Sequence, residues 1–217
     1  MSRRLAAEAL GAALLLAVVV GSGIMGEKLS AGNSAVALLA NTLATGAGLY
    51  TLICIFAPIS GAHFNPAVTL VAALQRALGA GEALAYVLAQ FVGGVGGVVA
   101  AHAMFGLPLI QASAHARGTA GEAFGEVIAT FGLVLTIGLM RRASTSQVAA
   151  AVALWITAAY WFTSSTSFAN PAVTFARSLT DTFAGIAGNH VAGFIAAQLA
   201  GAAAAFVAVR WLAKAPA

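Results

Sequence analysis

This chain of 217 residues is too apolar to be a soluble protein. Its residues are 61% hydrophobic and only 7% charged, with a mean hydropathy of +0.95 and a net charge of +4, whereas soluble domains are about 25% charged. Its ten Lys and Arg are scattered, which argues against a nucleic-acid surface. Neither a nucleophile–base set nor metal-ligand spacing among the four His is present, so we expect no enzyme and no cofactor.

Six long apolar segments predict an all-α membrane protein. A helix needs about 20 apolar residues to cross a bilayer, and the segments run approximately Leu5–Met25, Val36–Phe56, Ala83–Phe105, Ala123–Met140, Val148–Phe168 and Val191–Leu212. The first is longer than the apolar region of a signal peptide, about 7–15 residues, and we interpret it as a span. Two further segments, Pro66–Leu78 and Pro171–Leu179, are too short to cross and predict re-entrant half-helices.

The distribution of Lys and Arg predicts the orientation in the membrane. One side of the predicted bundle carries seven of them, namely Arg3, Arg4, Arg76, Arg141, Arg142, Arg210 and Lys214. The other side carries three, namely Lys28, Arg117 and Arg177. Because positive loops stay inside, we expect a multi-pass protein of the cell (inner) membrane with both termini in the cytoplasm.

The two halves of the chain repeat each other. Three features recur, namely a glutamate, the run Asn-Pro-Ala-Val-Thr and a glutamine, at Glu8 and Glu126, Asn65–Thr69 and Asn170–Thr174, and Gln90 and Gln198. Each half, about 1–107 and 119–217, has three spans and one half-helix, and an odd number of spans inserts the second copy upside down. We therefore predict one channel domain of two inverted repeats, with a transport site at the midplane between them.

Each Asn-Pro-Ala triplet is a helix start. Asn is a preferred N-cap, and Pro suits the first helical position because its missing N–H is not needed there. Inverted repeats bring the two half-helix N-termini together, each carrying about +0.5 charge. The predicted waist of the pore is therefore positive, which suits a water or polyol oxygen and repels cations and hydronium. Its predicted lining is Asn65, Pro66, Ala67, Asn170, Pro171 and Ala172.

With these motifs the sequence resembles the aquaporin (major intrinsic protein) family over essentially its whole length. The resemblance is carried by Ser60-Gly-Ala-His-Phe-Asn-Pro-Ala-Val-Thr-Leu70, by Phe168-Ala-Asn-Pro-Ala-Val173 and by the repeated glutamates and glutamines. It implies six spans, two half-helices, passive transport and a homotetramer with one pore per subunit. His63 matches the histidine that the family has near the inner mouth, and a capped loop histidine without a filter role is an equal alternative.

The chain departs from the family at the outer selectivity filter. The family has Arg directly after the second Asn-Pro-Ala, where this chain has Val173. Counting from the two motifs without gaps places the other three filter positions at Thr45, Ala158 and Ser167. This wide filter predicts an aquaglyceroporin-like channel for water and small neutral solutes, such as glycerol-like polyols, urea, ammonia or undissociated metalloid acids such as arsenous acid. A water-selective channel is the alternative.

Three charged residues leave alternatives open. Arg177 lies one turn after Val173 and can act as a vestibule cation, but the i, i+4 spacing favours a simple pair with Asp181. Carboxylates at membrane depth are costly and often functional. We interpret Glu8 and Glu126 as acceptors for the N–H groups of the loops before the half-helices, and proton coupling in a secondary transporter is the rival interpretation.

Overall fold

The computed structural model describes residues 1–213, and the regular elements of this part are eight α-helices. The helices are α1 (Ser2–Leu29), α2 (Ser34–Ser60), α3 (Pro66–Leu74), α4 (Ala80–Met104), α5 (Ala120–Leu139), α6 (Thr145–Phe162), α7 (Pro171–Arg177) and α8 (Gly188–Leu212). The predicted all-α class, with six long helices and two half-helices, is confirmed. Lys214 and the end of the predicted second repeat lie outside the described residues.

The six long helices are the membrane-spanning part of the fold. Five of them, α1, α2, α4, α5 and α8, are long and apolar enough to cross a membrane. The sixth, α6, has 18 residues, which span about 27 Å at 1.5 Å per residue. Long and short helices follow in the same order in α1–α4 as in α5–α8.

The helix α6 is displaced from its predicted span at both ends. It begins at Thr145, where Ser144 and Gln147 form a capping box, and it ends at Phe162 instead of Phe168. After it come Thr163 and further Ser and Thr residues, whose hydroxyls bond to nearby backbone and compete with helical hydrogen bonds. The Oγ of Ser165, for example, accepts from the N–H of Ser167 at 3.2 Å. Six residues predicted as helix therefore form part of the loop before α7.

Two other predicted boundaries were wrong for reasons of local geometry. The helix α2 continues past Phe56 and through Pro58 to Ser60, where left-handed Gly61 ends it. The half-helix α3 stops four residues before Leu78, because Arg76 takes a left-handed conformation, with φ of 61°. Its chain then closes in a Schellman motif, with N–H groups of residues 76 and 77 bonded back to carbonyls 73 and 72 at 2.9 Å.

Glycines allow the long helices to approach closely and so fix the frame around the half-helices. Along α4, Gly93 and Gly97 lie against the carbonyl oxygens of Ala9 and Ala13 in α1, so that a Cβ at either glycine would overlap backbone. In α8, Gly201 lies in the same way against α5. Close backbone contact stabilises helix pairs in lipid, where burial of apolar surface contributes little. The half-helices α3 and α7 pack against α4, α8 and each other.

Candidate functional site

The loop before α3 is held by Glu8, which is fully buried in α1. One carboxylate oxygen accepts from Ser60 Oγ at 2.6 Å and from the N–H of His63 at 3.0 Å. The other accepts from the N–H of Phe64 at 2.7 Å and from Gln90 Nε2 at 2.7 Å. Four donors therefore surround one carboxylate, and this compensates its removal from water.

The loop before α7 is held in the same way by Glu126, which is fully buried in α5. Its two oxygens accept from the N–H groups of Phe168 and Ala169, both at 2.8 Å, and from Gln198 Nε2 at 2.6 Å. The glutamates are thus placed as acceptors for the loops. Within residues 1–213, neither glutamate lines the central cavity.

The two glutamines connect the loops to the half-helices. Gln90 Nε2 also donates to Thr69 Oγ1 at 2.9 Å, and Gln198 Nε2 donates to Thr174 Oγ1 at 2.7 Å. Each threonine hydroxyl in turn donates to the carbonyl of the asparagine that begins its half-helix. The fifth residue of each Asn-Pro-Ala-Val-Thr run therefore belongs to the hydrogen-bond network behind the site.

The two asparagines cap their half-helices and bond across to the opposite loop. Asn65 Oδ1 accepts from the N–H of Ala67, and Asn170 Oδ1 accepts from the N–H of Ala172. Asn65 Nδ2 donates to the carbonyl of Ala169 at 2.7 Å, and Asn170 Nδ2 donates to the carbonyl of Phe64 at 2.8 Å. An amide has two N–H donors, so each asparagine retains a second one.

The two carbonyls that accept these bonds belong to residues in unusual conformations. Phe64 and Ala169, each directly before its asparagine, have φ of 48° and 49°. Left-handed backbone costs a non-glycine residue about 1–2 kcal/mol. The bonds from their N–H groups to Glu8 and Glu126 hold them there, and the carbonyls consequently point at the opposite asparagine.

A cavity of about 280 Å³ lies beside the two asparagines. It extends along α6 at least from Val148 to Tyr160, about 18 Å at 1.5 Å per residue. We name its two ends the Arg141 end, where Arg141 and His63 lie, and the Arg177 end, where Phe168 and Arg177 lie. Its walls between the ends are mainly apolar side chains of α2, α5 and α6.

Of the six residues predicted at the waist, two line the cavity. Asn65 and Asn170 do so, and the four proline and alanine residues, Pro66, Ala67, Pro171 and Ala172, are buried behind them. Ala67 packs in an apolar cluster with residues of α5 and α8. The reason is helical geometry, because residues that follow the cap turn away from the face that the cap presents.

Three of the four predicted filter residues, Thr45, Ser167 and Val173, line the cavity, and Ala158 does not. Ala158 lies on the exposed face of α6, so its prediction as a filter residue was wrong. Tyr160 occupies the cavity wall instead, and its hydroxyl donates to Thr45 Oγ1 at 3.2 Å. Two residues along a helix amount to a rotation of about 200°, so an error of two positions selects the opposite face.

Arg177 is at the cavity and not paired with Asp181, contrary to the favoured interpretation. Its guanidinium carbon lies 3.4 Å from the centre of the Phe168 ring, and its Nε donates to the carbonyl of Ala184. Asp181 instead accepts from the N–H of Ala114 at 2.8 Å. The helix α7 ends at Arg177, and without a further helical turn the i, i+4 geometry does not exist.

A second arginine, Arg117, approaches the same end from the loop between α4 and α5. Its Nε donates to the carbonyl of Gly185 at 2.9 Å, and its guanidinium carbon lies 5.2 Å from the centre of the Phe168 ring. Burial lowers the pKa of Arg117 from its ordinary value. Neither Arg117 nor the ring of Phe168 was predicted at the site, because a loop residue 51 positions before Phe168 gives no periodic signal.

At the Arg141 end, His63 is oriented by the network behind it. Its Nδ1 lies 3.1 Å from Thr69 Oγ1, and its ring packs edge-to-face on Tyr86 with centroids 5.5 Å apart. Arg141, which follows α5, also lines this end. Within residues 1–213, the cavity lining contains two arginines and no carboxylate, and no group of three metal-binding side chains occurs.

These features define a multi-pass membrane channel with one half-helix in each half of the chain. Comparison with known proteins supports this class. The family model described as "Major intrinsic protein" matches residues 1–144. Aquaglyceroporin AqpS of Rhizobium meliloti (strain 1021) is 51% identical over 212 residues, which are 98% of this chain and 91% of that protein.

Two further comparisons extend to more distant proteins. Probable aquaporin PIP2-8 of Oryza sativa subsp. japonica is 36% identical over 135 residues, 58% of this chain and 48% of that one. The X-ray structure of the aquaglyceroporin from Plasmodium falciparum shares the fold, with a TM-score of 0.77 at 19% identity over 98% of this chain and 96% of that chain. The chain belongs to the major intrinsic protein family. It is a passive channel for water and small neutral solutes, and not an enzyme.

Proposed function

We propose that this channel conducts neutral solutes larger than water, with polyols of the glycerol class as the main group. The observation that carries the proposal is Val173, an uncharged side chain at the position where the family resemblance expects a guanidinium. Urea, ammonia and undissociated metalloid acids fit the same description. The name aquaglyceroporin, borne by the relative of 51% identity, supports this reading.

The proposed filter combines hydroxyl groups with apolar and aromatic walls. Thr45, Ser167 and Val173 line it, and Ser167 Oγ is buried without a hydrogen-bond partner among the described residues. A buried hydroxyl without a partner is costly, so a solute hydroxyl that bonds to it is favoured. Tyr160 offers a ring surface to the carbon side of the same solute. A polyol has both kinds of surface.

At the waist, we propose that Asn65 and Asn170 each offer the remaining amide N–H to the solute. One N–H of each is bonded to the opposite loop, which fixes the direction of the other. The positive ends of the two half-helices act on the same place. Water and polyol oxygens accept such bonds, and cations meet a barrier. We propose that His63 likewise offers a hydrogen bond to the solute at the inner mouth.

The test is solute flux into proteoliposomes. We expect the wild-type channel to pass glycerol well above empty liposomes, and Val173→Arg to lower glycerol flux about tenfold, equivalent to a barrier of ~1.4 kcal/mol, with a smaller loss of water flux. Val173→Leu, which adds size without charge, is the control. Brisk water flux with background glycerol flux in the wild type would favour the water-selective alternative.

The proton-coupled alternative is tested in the same vesicles. The carboxylates of Glu8 and Glu126 are fully buried, accept from four and three donors respectively, and are absent from the lining described above. We therefore propose that flux rises linearly with solute concentration and does not change when a pH gradient is imposed. Saturating flux driven by the pH gradient would overturn the channel proposal.

We further propose a homotetramer with one pore per subunit, embedded in the bilayer of the cell (inner) membrane. Large apolar side chains are exposed along one side of α2, among them Leu39, Leu43 and Tyr50, and a neighbouring subunit or lipid must cover them. Light scattering of the detergent-solubilised protein measures the mass. A particle with the mass of one subunit would contradict the tetramer.

Orientation and domain structure complete the proposal. We propose that both termini are cytoplasmic and that about 1–107 and 119–217 are inverted repeats of one channel domain. Support comes from exposed Arg76, Arg141, Arg142 and Arg210 on the side predicted to be inside. An impermeant label should react with a cysteine in the loop around Ala116 on intact cells, and not with one at Ser144. The reverse pattern would contradict the orientation.

A further inference from the structure

The side chain of Arg177 has donors that the protein does not use. It is only 2% exposed, and its Nε donates to the carbonyl of Ala184. A guanidinium carries five N–H donors, and no described residue accepts from the two terminal nitrogens of this one. Because Arg177 lines the cavity, these four N–H groups are available to whatever passes through it.

Phe168 fixes where this guanidinium lies. The ring packs face-on to the guanidinium carbon at 3.4 Å and edge-to-face against Phe194, with centroids 5.2 Å apart. The backbone of Phe168 is bonded to Glu126, so the ring is attached to the same support as the loop before α7. An arginine over an aromatic face is attracted by the ring quadrupole. Arg177 is therefore preorganised, which an unsupported surface arginine is not.

The position of Arg177 relative to Val173 places a positive charge one helical turn beyond the position where the family resemblance expects it. Four residues separate them, so both lie on one face of α7, about 6 Å apart along its axis. Val173 keeps the lumen open at the usual position of the filter cation. The positive charge remains one turn further along, at the Arg177 end, and Arg117 adds a second positive charge near the same ring.

We propose that Arg177 is a specificity-determining residue, which excludes cations and donates hydrogen bonds to the hydroxyl oxygens of entering solutes. The proposal rests on the proposed function and assigns to Arg177, one turn along, the task that the family resemblance gives to an arginine at position 173. Two neighbouring N–H groups on a planar fork match two oxygens of one solute. Solutes with adjacent hydroxyl groups are accordingly preferred over those with one.

The experiment compares ion leak and solute flux in proteoliposomes of Arg177→Gln and of the wild type. We expect Arg177→Gln to raise proton and K⁺ conductance about tenfold or more and to lower glycerol flux relative to the flux of urea, which has no hydroxyl groups. Arg210→Gln is the matched control, because Arg210 also lies over a phenylalanine ring, Phe206, at 5.5 Å but outside the cavity lining.

Two further variants separate charge from hydrogen-bond geometry. Arg177→Lys keeps the charge without the fork, so we expect ion exclusion to remain and the preference for glycerol to fall. The double variant Val173→Arg/Arg177→Gln returns a guanidinium to the lumen, and we expect it to suppress the leak and to lower glycerol flux sterically. Ion exclusion and solute preference equal to the wild type in Arg177→Gln would overturn the proposal.

The measurements distinguish three outcomes: a variant that does not fold, a wild-type channel that does not conduct glycerol, and an Arg177 that has no role in specificity. If Arg177→Gln yields no water-conducting channel, Arg177→Lys decides: wild-type solute preference in that variant overturns the inference, and a reduced preference for glycerol supports it. A wild-type channel that passes water without glycerol refutes the proposed solute instead. In that case the difference in ion leak between the wild type and Arg177→Gln still tests whether Arg177 excludes cations.

Discussion

Replacing Glu8 by Gln should separate a structural carboxylate from a proton-carrying one. Glutamine has nearly the same shape but retains one acceptor oxygen, and the four donors to Glu8 are divided equally between its two oxygens. Two donors then face an amide N–H group in either orientation. Bonds to a charged group contribute about 1.5–3 kcal/mol each, so we expect a loss of about 3–6 kcal/mol.

This loss acts on both stability and transport. One kilocalorie corresponds to about 2–4 °C in Tm for a protein of this size, so the apparent Tm of Glu8→Gln should fall by about 6–24 °C. The loop that carries Asn65 loses its anchor, and water and glycerol flux per reconstituted protein should fall about tenfold. Thermal unfolding in detergent, followed by tryptophan fluorescence, and stopped-flow light scattering measure the two effects.

The matched control for Glu8→Gln is Glu27→Gln. Glu27 belongs to the same helix but is exposed at its other end, and we expect its replacement to change neither Tm nor flux. Wild-type Tm and flux in Glu8→Gln would refute the reasoning. A stable variant that loses only a dependence of transport on pH would instead support the proton-coupled alternative.

Three other variants test the frame, the waist and the filter. Gly97→Leu should lower the apparent Tm by about 5 °C or more because its side chain meets the backbone of Ala13, as a thermal scan would record. Asn170→Leu should lower glycerol flux about tenfold in stopped flow, since it removes a helix cap and a bond to the opposite loop. Tyr160→Ala should raise the flux of four-carbon polyols about threefold or more by enlarging the filter, measured against glycerol.

Each of these three variants has a control or a result that would contradict the prediction. Gly96→Leu is the control for the frame, because no atom lies within 4 Å of a Cβ built there, and equal Tm for both leucine variants would contradict the packing argument. Wild-type glycerol flux through Asn170→Leu would contradict its role at the waist. Unchanged polyol selectivity in Tyr160→Ala would remove that residue from the filter.

Features that follow from local chemistry were predictable from the sequence. Both half-helices begin where the sequence predicts, at Pro66 and Pro171, because an Asn cap followed by Pro needs no distant residue to start a helix. The apolar spans were predictable for the same reason, since the bilayer sets the length of each one. The described structure confirms the class of the fold and the order of its helices.

Features that depend on how distant segments meet were not predictable. The face of α6 that lines the cavity depends on where that helix ends, and the helix places Tyr160 instead of Ala158 in the cavity wall before the Ser/Thr-rich loop begins. The partner of Arg177 depends on the end of α7 and on the return of the chain at Ala184. The i, i+4 rule for neighbours on one helix favoured Asp181 as the partner of Arg177, but the tertiary structure gives it the carbonyl of Ala184 instead.

The reciprocal bonds of the two asparagines have a consequence for biosynthesis. Asn65 bonds to the carbonyl of Ala169, and Asn170 to the carbonyl of Phe64, so each half of the protein completes the other. While the ribosome is still translating the second half, an amide and a carbonyl of the first lack their native partners in a place that water reaches poorly. The waist consequently cannot form until the second half is present, and a chain truncated before Ala169 leaves this amide and this carbonyl without their native partners.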